Sequence, residues 1–439
     1  MRRTLWNGVF GILEYGSQPL GLLLTAPYLL RHMGAAQFGV WVLASAAVNS
    51  GNILSSGFGD AAVKYVAMYR GRGDLAGVAR VVRGMLTINL TLSGLLAAGL
   101  WAVAPWVAGR VPGLDAGLRG ACAEAFRMGS VLLAVRSVDS VFANAMRAFE
   151  RYSAPVRIAM GFRLTTLAAA VALVARGHGV VAIMGATLGL AAGSAAAQGL
   201  AMRRIAGRFR LLPEWERETL RMIAGYGAFS WLQALSAALL NQADRLVIGM
   251  FLGAPAVACY GLCVQAAQTV HGIAAAGLHV LFPHLSSRME AEAPAELRNT
   301  VGMALRMNAA LALAVAAPMA LLSRPLLTAW MGAEFARQAW GVLAVLAGAF
   351  ALLAMNVTAY YALLALGRVR LVTALNFAAG AAMVALMLVL TPRFGMMGTA
   401  CARLVAGPIS LWLYVPLERA LGGKARFVRT AELAVGQAG

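Results

Sequence analysis

Acidic residues are scarce: 17 Asp and Glu stand against 37 Lys and Arg in 439 residues, and charged residues of both signs make up only 12%. A water-soluble domain carries ~25% charged and ~45–50% apolar residues. Here 61% are hydrophobic and the mean hydropathy is +0.74, which excludes a water-soluble fold and makes lipid the solvent for most of the chain. Long polar segments are missing too. At about 20–22 residues per span, twelve transmembrane helices use roughly 250 residues, and short loops and ends take the rest. Cysteine is limited to Cys122, Cys259, Cys263 and Cys401, with no CxxC spacing, so zinc and dithiol chemistry are excluded and the four read as small buried hydrophobes. The five histidines, His32, His178, His271, His279 and His284, lack metal-ligand spacing. No metal and no cofactor is expected. The absence of GxxxxGK[ST], and of any loop able to hold a nucleotide-binding domain, argues against direct ATP drive. The net charge of +20 raises nucleic acid as a partner. The basic residues fall between the apolar stretches, however, as topology signals do, so no nucleic-acid partner is expected.

Apolar runs punctuated by Gly, Pro and charge predict helices near 5–30, 37–57, 84–108, 123–146, 156–175, 179–202, 222–250, 254–281, 302–322, 338–364, 370–391 and 395–418. The first is too long for a signal-peptide core and is expected to be retained. The fourth carries Arg127, Arg136 and Asp139, and a hydropathy scan alone would skip it. Of the 37 Lys and Arg, 25 fall in one alternate set of loops and seven in the other. That asymmetry predicts cytoplasmic N- and C-termini in the cytoplasmic (inner) membrane. It also supports twelve as the count, since one missed helix would invert every later loop.

The most polar loop, Arg203–Arg221, leaves six helices on each side, and the halves echo each other. Met33–Gly39 (MGAAQFG) and Leu252–Ala258 (LGAPAVA) follow the first helix of each; Ile183–Ala186 (IMGA) and Met396–Thr399 (MMGT) enter the sixth. An even number of helices gives the two copies one orientation, about an axis along the membrane normal. The expected fold is therefore an all-α polytopic membrane protein, with two parallel six-helix lobes (1–202 and 222–418) around a central cavity, a cytoplasmic linker (203–221) and a cytoplasmic tail (419–439).

Several segments resemble a known family. Pro27–Trp41 (PYLLRHMGAAQFGVW), Ser55–Ala67 (SSGFGDAAVKYVA) and Arg70–Asp74 (RGRGD) are similar to the start of polysaccharide transporters and O-antigen flippases. These belong to the multidrug/oligosaccharidyl-lipid/polysaccharide (MOP) exporter superfamily. Asn241–Gly253 (NQADRLVIGMFLG), Thr328–Phe335 (TAWMGAEF) and Arg393–Ala400 (RFGMMGTA) resemble its seventh helix and C-terminal half. The resemblance implies a V-shaped, two-lobed transporter working by alternating access on a lipid-linked oligosaccharide, in contact with membrane lipids and polysaccharide-assembly proteins. Relatives that flip the peptidoglycan precursor carry two further helices, for which this chain has no room.

Ionisable groups inside the membrane are costly, and each is a candidate for function. The basic ones are Arg127, Arg136, Arg163, Arg245 and Arg403; the acidic ones are Glu14, Asp139 and Asp244. Arg136 falls near the bilayer midplane. Three residues apart on one helical face, Arg136 and Asp139 either neutralise each other or line a cavity where the guanidinium meets an anionic headgroup, its planar donor fork suiting diphosphate. Arg127 and Arg163 lie nearer the interfaces, where snorkelling competes with a lumen role. Asp244 and Arg245 either brace the seventh helix or face the lumen, with Asn241 on the same face. Glu14, beside the bend expected from Gly16 and Pro19, is a candidate proton or cation site or a structural partner of an arginine; Asp139 and Asp244 are further coupling-ion candidates.

A membrane-embedded glycan polymerase or ligase is the enzyme-class competitor. It would need outward-facing acceptor machinery, and the longest outward loop, around 109–122, is short. Within transport, the rival is a cation-coupled multidrug exporter of the same superfamily, which would favour an acidic, aromatic cavity over excess arginine. The major-facilitator fold also has twelve spans, but its G-x-x-x-D-R-x-G-R-R-like signature is missing between the second and third helices. The sequence is read as a non-enzymatic flippase of an anionic glycolipid.

Overall fold

A backbone surrounded by lipid must satisfy its own hydrogen bonds, which restricts an open chain to helices. In the computed structural model the described residues form α-helices, one 3-10 turn (Ser56–Phe58) and no strand. The structure describes residues 2–149, 153–206, 212–291, 294–365 and 368–419, with the side chains of all of these except 2–20, 56, 60–63, 206, 225–229, 274–291, 294–300 and 365. In chain order the helices are α1 (Arg2–Ser55), α2 (Gly59–Gly71), α3 (Leu75–Arg110), α4 (Ala116–Ala148), α5 (Ser153–Ala175), α6 (Val180–Ala206) and α7 (Arg217–Phe251). They continue with α8 (Ala254–Ala291), α9 (Pro294–Leu321), α10 (Ser323–Met331), α11 (Ala333–Met355), α12 (Val357–Ala365), α13 (Val369–Leu404) and α14 (Ala406–Leu411).

The match to the expected helices is close but not one to one. The first two are joined as α1 across Gly34, whose φ of 79° and ψ of 157° interrupt the helix in a region open to glycine. Gly395, at φ 60° and ψ −145°, plays the same part between the last two. The helix expected over 338–364 breaks after Met355, and α10 is an additional short element. By length and composition, seven segments of the described residues could cross a membrane. Helix α4 is not among them, because Arg127, Arg136 and Asp139 dilute its apolar character. The number twelve is thus not reproduced element by element.

Residues up to Leu262, together with Val384–Thr399, form one compact unit. Within it α4 packs on α3 and α6, and α1 packs on α4, α5 and α7. Valines and methionines of α3 and α4, among them Val82, Met85, Val141 and Met146, close a buried core with Met202 and Ile223. Small residues let membrane helices approach closely. A Cβ on Gly39 would collide with the carbonyl oxygen of Ala254, one on Gly51 would stand 2.7 Å from Leu133, and one on Gly129 2.9 Å from Val48. The obstacle at Gly39 is backbone and cannot rotate away. We therefore expect Gly39→Val to abolish the monodisperse, folded peak of the detergent-extracted protein in size-exclusion chromatography, while the wild type retains it. At one end of α3, Glu214 pairs with Arg83 at 2.6 Å and its carbonyl accepts from Thr87 at 2.8 Å, tying the segment before α7 to this unit.

The second unit comprises the described residues of Cys263–Met383 and those from Ala400 to Arg419. Here α11 packs on α9, α10 and α14. Its break after Met355 frees carbonyl groups that lipid cannot satisfy. Asn308 Nδ2 donates to the Ala354 carbonyl and Tyr414 Oη to that of Met355, each at 2.6 Å, so the break is held by neighbouring side chains.

Candidate functional site

The first unit gathers a polar centre on α1, α4, α5 and α6. Helix α4 starts at Ala116, earlier than the sequence implied, because the Asp115 carboxylate accepts the Leu118 N–H at 2.7 Å and caps it. At ~1.5 Å per residue, Arg136 lies about 6 Å from the midpoint of this helix. The glycines at 51 and 129 bring α1 close enough for Arg136 Nη1 to donate to Asn49 Oδ1 at 2.9 Å. Among the described residues this is the one hydrogen bond its guanidinium makes. The remaining donors of a five-donor fork are uncommitted.

Asp139 shares the face of Arg136 but turns to α6. Its Oδ1 accepts from Ser194 Oγ at 2.9 Å and Gln198 Nε2 at 3.0 Å. Ser194 and Gln198 are four residues apart, one turn of helix, and present their donors together. Arg163 exerts an electrostatic influence on both Arg136 and Asp139. Because α5 runs from Ser153 to Ala175, Arg163 lies one residue from its midpoint. The unsatisfied oxygens of Asn52 and Gln198, both buried, extend the polar seam. Two guanidinium groups, Arg136 and Arg163, thus act electrostatically on one carboxylate that Ser194 and Gln198 also engage.

The other candidates are elsewhere. Arg245 Nη1 donates to the Asn241 carbonyl at 2.8 Å and Gln242 Oε1 at 3.2 Å, while its backbone N–H meets Asp244 Oδ1 at 2.8 Å. Asn241 Nδ2 bonds to the Ala237 carbonyl at 2.8 Å. These are contacts within α7. Arg403 belongs to the second unit, where it is 1% exposed with its guanidinium 4.5 Å from the Phe350 ring centroid. Arg127 lies on the exposed surface of α4. The side chain of Glu14 falls outside the described residues. Sequence reading did not name Asn49, Ser194 or Gln198; their signal was polar residues interrupting apolar runs, one turn apart on α6.

A family model described as "Polysaccharide biosynthesis protein" matches residues 29–340. A comparison with curated proteins finds no match. Among solved structures, the fold is similar to the lipid II flippase MurJ in an inward closed conformation, with a TM-score of 0.75 at 10% identity over 95% of this chain and 90% of that one. It is also similar to a multidrug resistance MATE family transporter of the MOP superfamily, inward-facing, with a TM-score of 0.68 at 17% identity over 93% and 98%. A MOP superfamily transporter from Pyrococcus furiosus, whose binding pocket is described as of reverse polarity, has a TM-score of 0.51 at 16% identity over 93% and 96%.

Proposed function

Since the chain belongs to the polysaccharide biosynthesis protein family, whose model spans most of it, we propose that it is a flippase for a polyprenyl-diphosphate-linked oligosaccharide or similar anionic glycolipid. It moves this cargo from the inner to the outer leaflet of the cytoplasmic membrane by alternating access between the halves 1–202 and 222–418. The observation that carries this reading is Arg136, a guanidinium deep in α4 with one donor committed to Asn49. Beside it are Arg163 and the Asp139 carboxylate, whose Oδ1 accepts from Ser194 and Gln198. Diphosphate oxygens match such a fork through charge-assisted, bidentate hydrogen bonds. Asp139 is the observation that favours the second reading, a cation-coupled multidrug exporter: a proton or metal cation could exchange at it.

A ligand that binds the folded state and not the unfolded one raises the melting temperature, by a stabilisation of RT ln(1 + L/Kd) at free ligand concentration L. In detergent, a polyprenyl diphosphate is expected to stabilise the protein by several degrees and the lipophilic cation tetraphenylphosphonium to leave it unchanged. The reverse pattern would favour the exporter of cations. The Lys/Arg asymmetry further supports cytoplasmic termini, and reporter fusions at Gly439 and within 203–221 should both give a cytoplasmic signal. A periplasmic signal at either would break this topology.

A further inference from the structure

Arg127 is charged, exposed and well inside α4, about 17 Å along the axis from Ala116 at ~1.5 Å per residue. Its guanidinium carbon is 5.6 Å from the ring centroid of Trp101 on α3, itself 48% exposed and about 14 Å from the end of that helix at Arg110. Among the described residues no hydrogen bond or ion pair engages the guanidinium. Glu124, one turn nearer the loop on the same face, is exposed and forms no ion pair with it.

A guanidinium near the face of a ring is attracted to it while its N–H groups stay free to donate. An outward-facing guanidinium at this depth needs acceptors, and the surrounding solvent offers them only at the level of the lipid headgroups, which a long side chain can reach by snorkelling. Tryptophan prefers that same level. One turn deeper on each helix, Ala98 and Val131 are exposed and apolar, a surface suited to acyl chains. Charge complementarity and depth together select the occupant. We propose that α3 and α4 form a site for one anionic phospholipid, its phosphate on Arg127 over Trp101 and its chains along Ala98 and Val131, in the leaflet on the side of the α3–α4 loop. The site is separate from the Arg136 centre and does not depend on the cargo assigned above.

The test uses the full chain in phosphatidylcholine nanodiscs doped with a photo-crosslinking phosphatidylglycerol or the matching phosphatidylcholine, with labelled peptides mapped by mass spectrometry. Phosphatidylglycerol is expected to label the 98–106 and 124–131 segments at least threefold more than phosphatidylcholine. Arg127→Gln should remove that excess, Arg127→Lys and Trp101→Leu should each keep part of it, and Glu124→Gln should keep or raise it. Arg110→Gln, at the helix end over Trp106, should leave it intact. Because Arg127 is on the surface, its variants should keep the wild-type size-exclusion profile; should Arg127→Gln lose it, competition in the wild type decides. Unlabelled phosphatidylglycerol must then suppress the labelling, and soluble pyrophosphate must not. Equal labelling by the two lipids, an unchanged excess in folded Arg127→Gln, or suppression by pyrophosphate or by a polyprenyl diphosphate where phosphatidylglycerol has no effect would each overturn the proposal.

Discussion

Arg136→Ala is expected to abolish glycolipid translocation while the protein still inserts and folds. The guanidinium carries one structural hydrogen bond, to Asn49, and that bond is to a neutral amide. Its loss costs the fold about 1 kcal/mol. Removing the partner of a desolvated phosphate costs far more, about 2–5 kcal/mol, so transport should fall by roughly 30- to 5,000-fold at equal abundance. Arg136→Lys keeps the charge but not the planar fork and should recover only part of the rate. Normal transport by Arg136→Ala at wild-type abundance would make the residue structural. Asn49→Ala provides the complementary result: with its acceptor gone the guanidinium loses one anchor, and affinity should weaken several-fold without loss of turnover.

Translocation should respond strongly to an imposed membrane potential. A polyprenyl-diphosphate headgroup bears roughly two negative charges, and one charge crossing 100 mV is worth about 2.3 kcal/mol. With a negative interior, outward passage of the unneutralised anion is helped by up to ~4–5 kcal/mol per 100 mV. Arg136 and Arg163 would stabilise the headgroup midway without supplying net drive, since they stay in the membrane. A valinomycin–potassium diffusion potential across proteoliposomes should therefore accelerate export when the donor side is negative and slow it when positive. Glu14→Gln should slow transport without abolishing it, because a returning proton or cation only resets the empty carrier. Translocation indifferent to potential but lost in Glu14→Gln would instead require obligatory ion exchange at that carboxylate.

The helical, membrane-spanning character of the chain and most helix positions follow from hydropathy and punctuation alone. Helix α4 shows why charge within a run need not end a span: Arg136 and Asp139 find partners on α1 and α6, which a scan of one segment cannot see. Their spacing of three puts them on one face, and sequence reading left open whether they neutralise each other. The rotamers of such a pair depend on neighbouring helices: here Ser194 and Gln198 donate to Asp139 while Arg136 donates to Asn49, and the two charges still act on each other. The break at Met355 was also invisible, since Ala354, Met355 and Asn356 contain neither Gly nor Pro. What holds it comes from far along the chain, at Asn308 and Tyr414. By contrast Gly34 falls in the gap expected between the first two spans and Gly395 at the start of the last, and their positive φ explains why glycine stands there.

The decisive measurement is made in liposomes carrying the purified protein, scoring translocation of a polyprenyl-diphosphate sugar beside efflux of a cationic dye. We expect the lipid to cross in wild type, to fail to cross in Arg136→Ala, and the dye to be retained in both. Efflux of the dye without translocation of the lipid would contradict the assignment and identify a cation exporter.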